Sequence, residues 1–86
     1  MDIDQARTFL AITANGSFLE AARQLHLTQS TVSARIQRLE DELGTRLFVR
    51  NRAGASLTPA GRRFFDYAKR LVLTADQARE DAGLPE

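Results

Sequence analysis

Few side chains in this sequence can do covalent chemistry, and their settings argue against it. There is no cysteine and a single histidine, His26, so thiolate nucleophiles, thiolate metal sites and disulfides are excluded. A lone histidine with no companion ligand reads as a surface or turn residue rather than a metal ligand or base. A hydrolase needs a nucleophile, a base and an oxyanion site together. Ser17, Ser30 and Ser33 instead occupy helix-start or helix-surface positions, and no glycine-rich loop is present to cradle phosphates. What remains is non-covalent recognition. Gln29, Ser30 and Ser33 cluster donors and acceptors with no acid among them, and Arg50 and Arg52 follow at a short distance. That set suits an anionic surface.

The element that must position this cluster runs from Thr28 to Leu43. Thr28 is a good N-cap, because its side-chain oxygen can accept an otherwise orphaned backbone N–H. Val32, Ile36, Leu39 and Leu43 then recur at helical spacing as one apolar stripe. Gly44 is placed to stop the helix in the left-handed conformation. Ser30, Ala34 and Gln37 point away from the stripe, with Ser33 on one shoulder and Thr31 and Arg38 on the other. The first half of the helix is therefore neutral and rich in hydrogen-bonding groups, whereas Glu40, Asp41 and Glu42 make the second half acidic. Such a helix is suited to lay only its N-terminal half on a polyanion, an arrangement that its dipole also favours.

Charge is distributed to the same effect. The net charge is only +1, in a chain of 86 residues that is 43% hydrophobic and 27% charged, enough for one small domain. Residues 1–45 carry four arginines against six acids, and residues 71–86 carry one against four. Residues 46–70 carry seven Arg or Lys against one acid. A localised basic block points to a polyanion partner more than the total does. No apolar run approaches membrane-spanning length and Met1-Asp2-Ile3-Asp4 is not a signal peptide, so a cytoplasmic location without membrane association is expected.

The flanking elements follow from the same signals. Ala6, Phe9, Leu10 and Thr13 predict a first helix opened by Asp2 or Asp4 and stopped at Asn15-Gly16. Ser17 with Glu20 predicts a capping box for a short second helix, whose apolar side is Phe18, Ala21, Ala22 and Leu25. His26-Leu27 allows only a tight turn before Thr28, which makes a helix-turn-helix, with Leu27 plugging into the core. Leu47-Phe48-Val49 and Ser56-Leu57-Thr58 predict a β-hairpin, a wing, with Arg50 and Arg52 at its tip. Thr58-Pro59 opens a last helix that should run to about Ala82 and end near Gly83, with Pro85 beyond. It would span about 36 Å at 1.5 Å per residue, longer than the domain can cover. Its seam of Phe64, Ala68, Leu71, Ala75, Ala78 and Ala82 alternates in a heptad-like way. Phe64 or Phe65 can pack on the domain, and the Ala-rich remainder predicts a helix from a second copy in a two-fold dimer.

Several segments together resemble one family. They are Ala6-Arg7-Thr8-Phe9-Leu10-Ala11, Gly16-Ser17-Phe18 with Ala21-Ala22, and Leu27-Thr28-Gln29-Ser30 with Val32-Ser33. Leu39-Glu40 through Leu43-Gly44, Leu47-Phe48, Arg50 and Leu57-Thr58-Pro59-Ala60-Gly61 complete the set. In this order they resemble the N-terminal DNA-binding domain of LysR-type bacterial transcriptional regulators. The resemblance implies a mainly α fold: a winged helix-turn-helix with a three-helix core and a small hairpin over residues 1–58, then a linker and dimerisation helix over 59–86. It also implies a C-terminal effector-binding domain that this fragment lacks, and higher oligomers of a full-length protein. Two positions depart from the pattern, Ala34 where Arg is common and Leu19 where Thr is common.

On this reading the chain is a non-enzymatic, sequence-specific binder of double-stranded DNA in the bacterial nucleoid, with no cofactor in this fragment. Gln29, Ser30, Ser33 and Ala34 face the bases of the major groove, where Gln29 suits adenine and Ala34 a thymine methyl. Thr28, Thr31, Arg35 and Arg38 hold phosphates, and Arg50 and Arg52 reach the flanking backbone or minor groove. The alternative is a winged-helix module that binds only protein. Such a module need not put arginines on the wing while keeping acids off the start of the central helix.

Overall fold

The computed structural model describes residues 1–83. The order is α1 (Ile3–Asn15), α2 (Phe18–Leu25), α3 (Gln29–Leu43), β1 (Phe48–Asn51), β2 (Gly54–Leu57) and α4 (Pro59–Gly83). Helices α1, α2 and α3 pack on one another, α4 lies along α1, and the two strands form an antiparallel hairpin. This is the winged helix-turn-helix with a long final helix.

Local chemistry sets each helix boundary. Asp2 caps α1 by accepting the Gln5 N–H at 2.8 Å, while the Gln5 side chain accepts the Asp2 N–H at 2.9 Å. Ser17 caps α2 through the Glu20 N–H, but the expected reciprocal bond does not form; the Glu20 carboxylate accepts from Arg23 at 2.8 Å instead. An arginine one turn along offers a charged donor, which outcompetes a single backbone N–H on the exposed side. Thr28 caps α3 through the Thr31 N–H, and Gly44 stops it at φ 69°.

The core is organised by four aromatic rings in series. Phe18 meets Phe48 edge-on at 5.6 Å, Phe48 meets Phe9 at 5.2 Å, and Phe9 meets Phe64 edge-on at 5.0 Å. These rings join α2, β1, α1 and α4, each contact contributing about 0.5–1.5 kcal/mol beyond area burial. Ala21 and Ala22 are buried and small, which lets α2 approach its neighbours closely. Leu27 is half-buried and packs against the core, as expected. In α1 the buried residues are Gln5, Ala6, Thr8, Phe9, Ala11 and Ile12, whereas Leu10 and Thr13 are only half-buried. The burial of Thr8 is possible because its hydroxyl donates to the Asp4 carbonyl at 2.7 Å.

Three expectations require correction. Leu43 is 38% exposed and does not complete the α3 stripe, because α3 has passed the edge of the core by its last turn. The hairpin is shifted toward its tip relative to the β-prone runs: Phe48 pairs with Leu57 and Asn51 with Gly54, leaving Arg52-Ala53 as the turn. Arg50 therefore stands within β1, opposite Ala55, rather than at the tip. Leu47 leaves the strand to be buried, and Thr58 becomes the α4 cap, its hydroxyl accepting the Gly61 N–H at 3.0 Å. Finally, Phe64 packs on the domain as expected, but it and Ala68 then lie in this protein's own core, at 9% and 0% exposure, so neither belongs to the dimer seam. The remaining seam positions stay accessible: Leu71, Ala78 and Ala82 are exposed and Ala75 is half-buried. Helix α4 is described as far as Gly83, and its expected end near there and Pro85 beyond lie at or outside the limit of the described residues.

Two backbone contacts lock the hairpin to the helices. The Ala55 N–H donates to the Gly16 carbonyl at 2.9 Å, so the hairpin is tied to the α1–α2 turn. At Gly61, a Cβ would fall 2.2 Å from the Leu47 carbonyl oxygen, so only glycine lets α4 approach the chain entering β1 this closely. Farther along, Arg7 on α1 forms an ion pair with Asp76 on α4. The hydrogen bond between them holds the Asp76 carboxyl below its ordinary range and raises the Arg7 guanidinium further.

Candidate nucleic-acid interface

The exposed half of α3 is built as its periodicity implies. Gln29, Ser30 and Ala34 are exposed, and Ser33 is half-buried on the shoulder nearest the hairpin. Thr28 Oγ1 accepts the Thr31 N–H at 3.1 Å and donates to Thr31 Oγ1 at 2.9 Å, fixing both side chains at the helix start. The first turn holds no acid. The dipole and free N–H groups of this end therefore act without a competing negative charge.

The arginines fall into different settings. The Arg50 guanidinium lies over the Phe18 ring, 3.9 Å from its centroid, with Nη1 3.5 Å from Ser33 Oγ. This cation–π contact holds Arg50 beside Ser33 of α3. Arg52 is exposed in the hairpin turn. Arg35 is half-buried, with Nη1 3.4 Å from the Thr8 hydroxyl of α1, whereas Arg38 is exposed. The structure thus brings Gln29, Ser30, Ser33 and Arg50 to one side of the molecule, with Arg35 on the α1 flank.

Sequence reasoning missed two contributors to this surface. Glu40, read as part of an acidic solvent face, turns inward: its Oε2 accepts the Leu47 N–H at 2.7 Å and lies 3.5 Å from the Phe48 nitrogen. It is the pin between α3 and the start of the hairpin. Its spacing from Ser33 and Gln37, on the stripe that faces the hairpin, is the signal that distinguishes it from Asp41 and Glu42. Phe18, whose helical spacing marks only a core role, is also the ring beneath Arg50.

The family model for bacterial regulatory helix-turn-helix proteins of the lysR family matches residues 3–62. The chain belongs to this LysR family. It is 44% identical over 81 residues to the HTH-type transcriptional regulator HdfR of Yersinia enterocolitica, covering 94% of this chain and 28% of that protein. HdfR of Yersinia pestis strain Pestoides F matches to the same extent. The chain thus spans little more than a quarter of the length of these relatives. Among solved structures it is similar to the DNA-binding domain of CbnR in complex with DNA, with TM-score 0.90 and 32% identity over 95% of this chain and 94% of that one. It is also similar to the BenM DNA-binding domain on catB site 1 DNA, with TM-score 0.86 and 34% identity over 99% of this chain and all of that one. The LysR-type helix-turn-helix accounts for α1 to α3, the hairpin and the first turn of α4.

Proposed function

We propose that this LysR-type domain binds double-stranded DNA in a sequence-dependent way as the operator-reading part of a transcriptional regulator in the bacterial cytoplasm. The observation that carries the reading is the placement of Gln29, Ser30 and Ser33 on the solvent side of α3, with Ser33 3.5 Å from Arg50. A helix start that is polar, uncharged and dipole-positive stands beside hairpin arginines, which is what a major-groove helix with a backbone-gripping wing requires. The similarity to the CbnR and BenM domains, whose structures are DNA complexes, supports the same reading.

Gln29, Ser30, Ser33 and Ala34 are assigned to base edges, and Thr28, Thr31, Arg35, Arg38, Arg50 and Arg52 to phosphates or the flanking minor groove. For Arg35 the Thr8 hydroxyl acts as a rest that orients the guanidinium toward the flank. The unit that docks is residues 1–58, with α4, described over Pro59–Gly83, serving as linker and dimerisation helix. The dimer face comprises Leu71, Ala75, Ala78 and Ala82, the first three of which line a hollow together with Ile3 and Tyr67. No cofactor is needed for this activity. His26 is the exposed C-cap of α2 at φ 57°, a structural role for the single histidine.

Duplex binding followed by fluorescence anisotropy, on random DNA and on sites selected from a random library, tests the reading. Gln29→Ala should lose about 1–3 kcal/mol on selected sites and almost nothing on random DNA. Equal loss on both would remove Gln29 from base reading. Affinity insensitive to salt would instead favour a protein-binding module.

A further inference from the structure

Helix α4 leaves the domain by degrees. Phe64 and Ala68 are buried in the core, and Val72 packs half-buried against it. Asp76 is the last position of α4 that is partly covered, and residues 77–83 are all exposed. Val72 and Asp76 lie about 6 Å apart along the helix, at 1.5 Å per residue. Each meets α1. Val72 and Leu10 together line two neighbouring hollows on this side of α4, and one turn farther Arg7 pairs with Asp76. Arg7 and Leu10 share one face of α1, as Val72 and Asp76 share one face of α4. Among the described residues this is the one ion pair that joins α1 to α4. An apolar contact alone lets one helix roll on another, because hydrophobic attraction has no direction. A hydrogen-bonded guanidinium and carboxylate add a direction to it.

Taking the DNA-binding and α4-dimer readings above as given, we propose that Arg7 and Asp76 are positioning residues for operator selection. Their pairing sets the angle between the winged domain and α4, and through it the half-site spacing that a dimer accepts. In a two-fold dimer held by the outer part of α4, each recognition helix is placed by the angle at which its own domain joins α4. A tilt of about 10° at Ala68 shifts the Ala82 end by about 4 Å relative to the winged domain, at 1.5 Å per residue. One base-pair step along a strand is about 3.4 Å, so a tilt of this size is felt as a change of spacing. Symmetry repeats it in the second half. Exposed ion pairs contribute little to stability, and the fold does not depend on this one, since Phe9, Phe64 and Ala68 already hold α4 on the domain. Beyond Ala68, where cover on α4 is thin, the pair supplies direction instead.

The test uses duplexes carrying two inverted copies of a half-site that the wild-type protein selects from a random library. Their centre-to-centre spacing is varied one base pair at a time, and a further duplex carries a single copy. Affinities are compared for wild type, Asp76→Asn, Arg7→Gln and the double variant. Glu80→Gln is the control, an exposed acid of α4 that forms no ion pair among the described residues. Engaging a second half-site through a rigid link gains about 10²–10⁴ in affinity, and in wild type that gain should peak at one spacing. In each single variant the ratio between the best spacing and its one-base-pair neighbours should fall about threefold or more, as the gain spreads over more spacings. The double variant should match the singles, because either change breaks the same pair. Asp76→Asn should keep the wild-type affinity for one half-site, and Glu80→Gln the whole wild-type profile. Unchanged spacing profiles in Asp76→Asn and Arg7→Gln overturn the proposal while leaving the DNA reading intact. A loss equal on one half-site and on two, with the shape of the profile kept, also overturns it, since the pair then acts within the winged domain. A wild-type profile that is flat across spacings does the same, because no angle is then being held. Wild-type protein that binds no duplex defeats both readings.

Discussion

Removing the Glu40 carboxylate should loosen the hairpin from α3, and the size of the effect follows from what it leaves behind. Its Oε2 accepts the Leu47 N–H at 2.7 Å, and Leu47 is 1% exposed. In Glu40→Ala that donor loses its partner where water does not reach it easily, at a cost of about 1–3 kcal/mol. Alanine is the better helix former by a few tenths of a kcal/mol, which only trims the loss. A net change near 2 kcal/mol lowers the melting temperature by about 8–16 °C in a domain of this size. Glu40→Gln keeps an acceptor oxygen and loses only the charge assistance, so its cost should be about half as large. Urea unfolding followed by circular dichroism gives both values, and faster hydrogen exchange at the Leu47 amide localises the change. Stability of Glu40→Ala within about 0.3 kcal/mol of wild type would refute the reasoning, because the amide would then be adequately solvated. Equal damage from Gln and Ala would show that charge, rather than an acceptor, is what the site needs.

Other perturbations report on different joints. Gly61→Ala adds helix propensity of about 1 kcal/mol but forces a methyl to 2.2 Å from the Leu47 carbonyl oxygen, a backbone atom that cannot rotate away. Overpacking of this kind costs about 1–3 kcal/mol, so a lower melting temperature is expected, and an unchanged one would contradict the close approach of α4. The Asp76 carboxyl titrates below its ordinary value of about 3.9 because Arg7 hydrogen-bonds to it. Its contribution is therefore fully present above that value and is lost as pH falls through the lower folded one. Asp76→Asn should remove this part of the acid sensitivity, and identical acid unfolding profiles would show that the pair does not matter. Ala78→Glu places a charge on an exposed seam position of α4 and should shift sedimentation toward monomer; an unchanged mass would move the dimer contact elsewhere.

Most of the architecture was legible because it is encoded locally. The stops at Gly16 and Gly44, the caps at Ser17, Thr28 and Thr58, and the buried stripe of Val32, Ile36 and Leu39 depend on residues within one or two turns. Their periodicity also fixes which side of α3 faces out, so Gln29, Ser30 and Ala34 were identifiable as exposed before any tertiary contact was known. The wing and the long final helix were also legible from local signals, and the family pattern added the roles of DNA recognition and dimerisation.

What the sequence could not determine is where long side chains go once several partners compete for them. Glu20 had a backbone donor three residues away and took Arg23; Glu40 looked solvated and capped the chain entering β1. Arg50 was one of two wing arginines by type, but the register that puts it opposite Ala55 and the ring of Phe18, 32 positions earlier, decided its direction. The seam of α4 marked Phe64 or Phe65 as able to pack on the domain but not how far along the helix that cover would reach, and packing on the domain withdrew both Phe64 and Ala68 from it. Helical period and capping are short-range and additive along the chain. The destination of a charged or aromatic group is settled by which distant backbone or ring comes within a few ångströms, and only the folded arrangement supplies that.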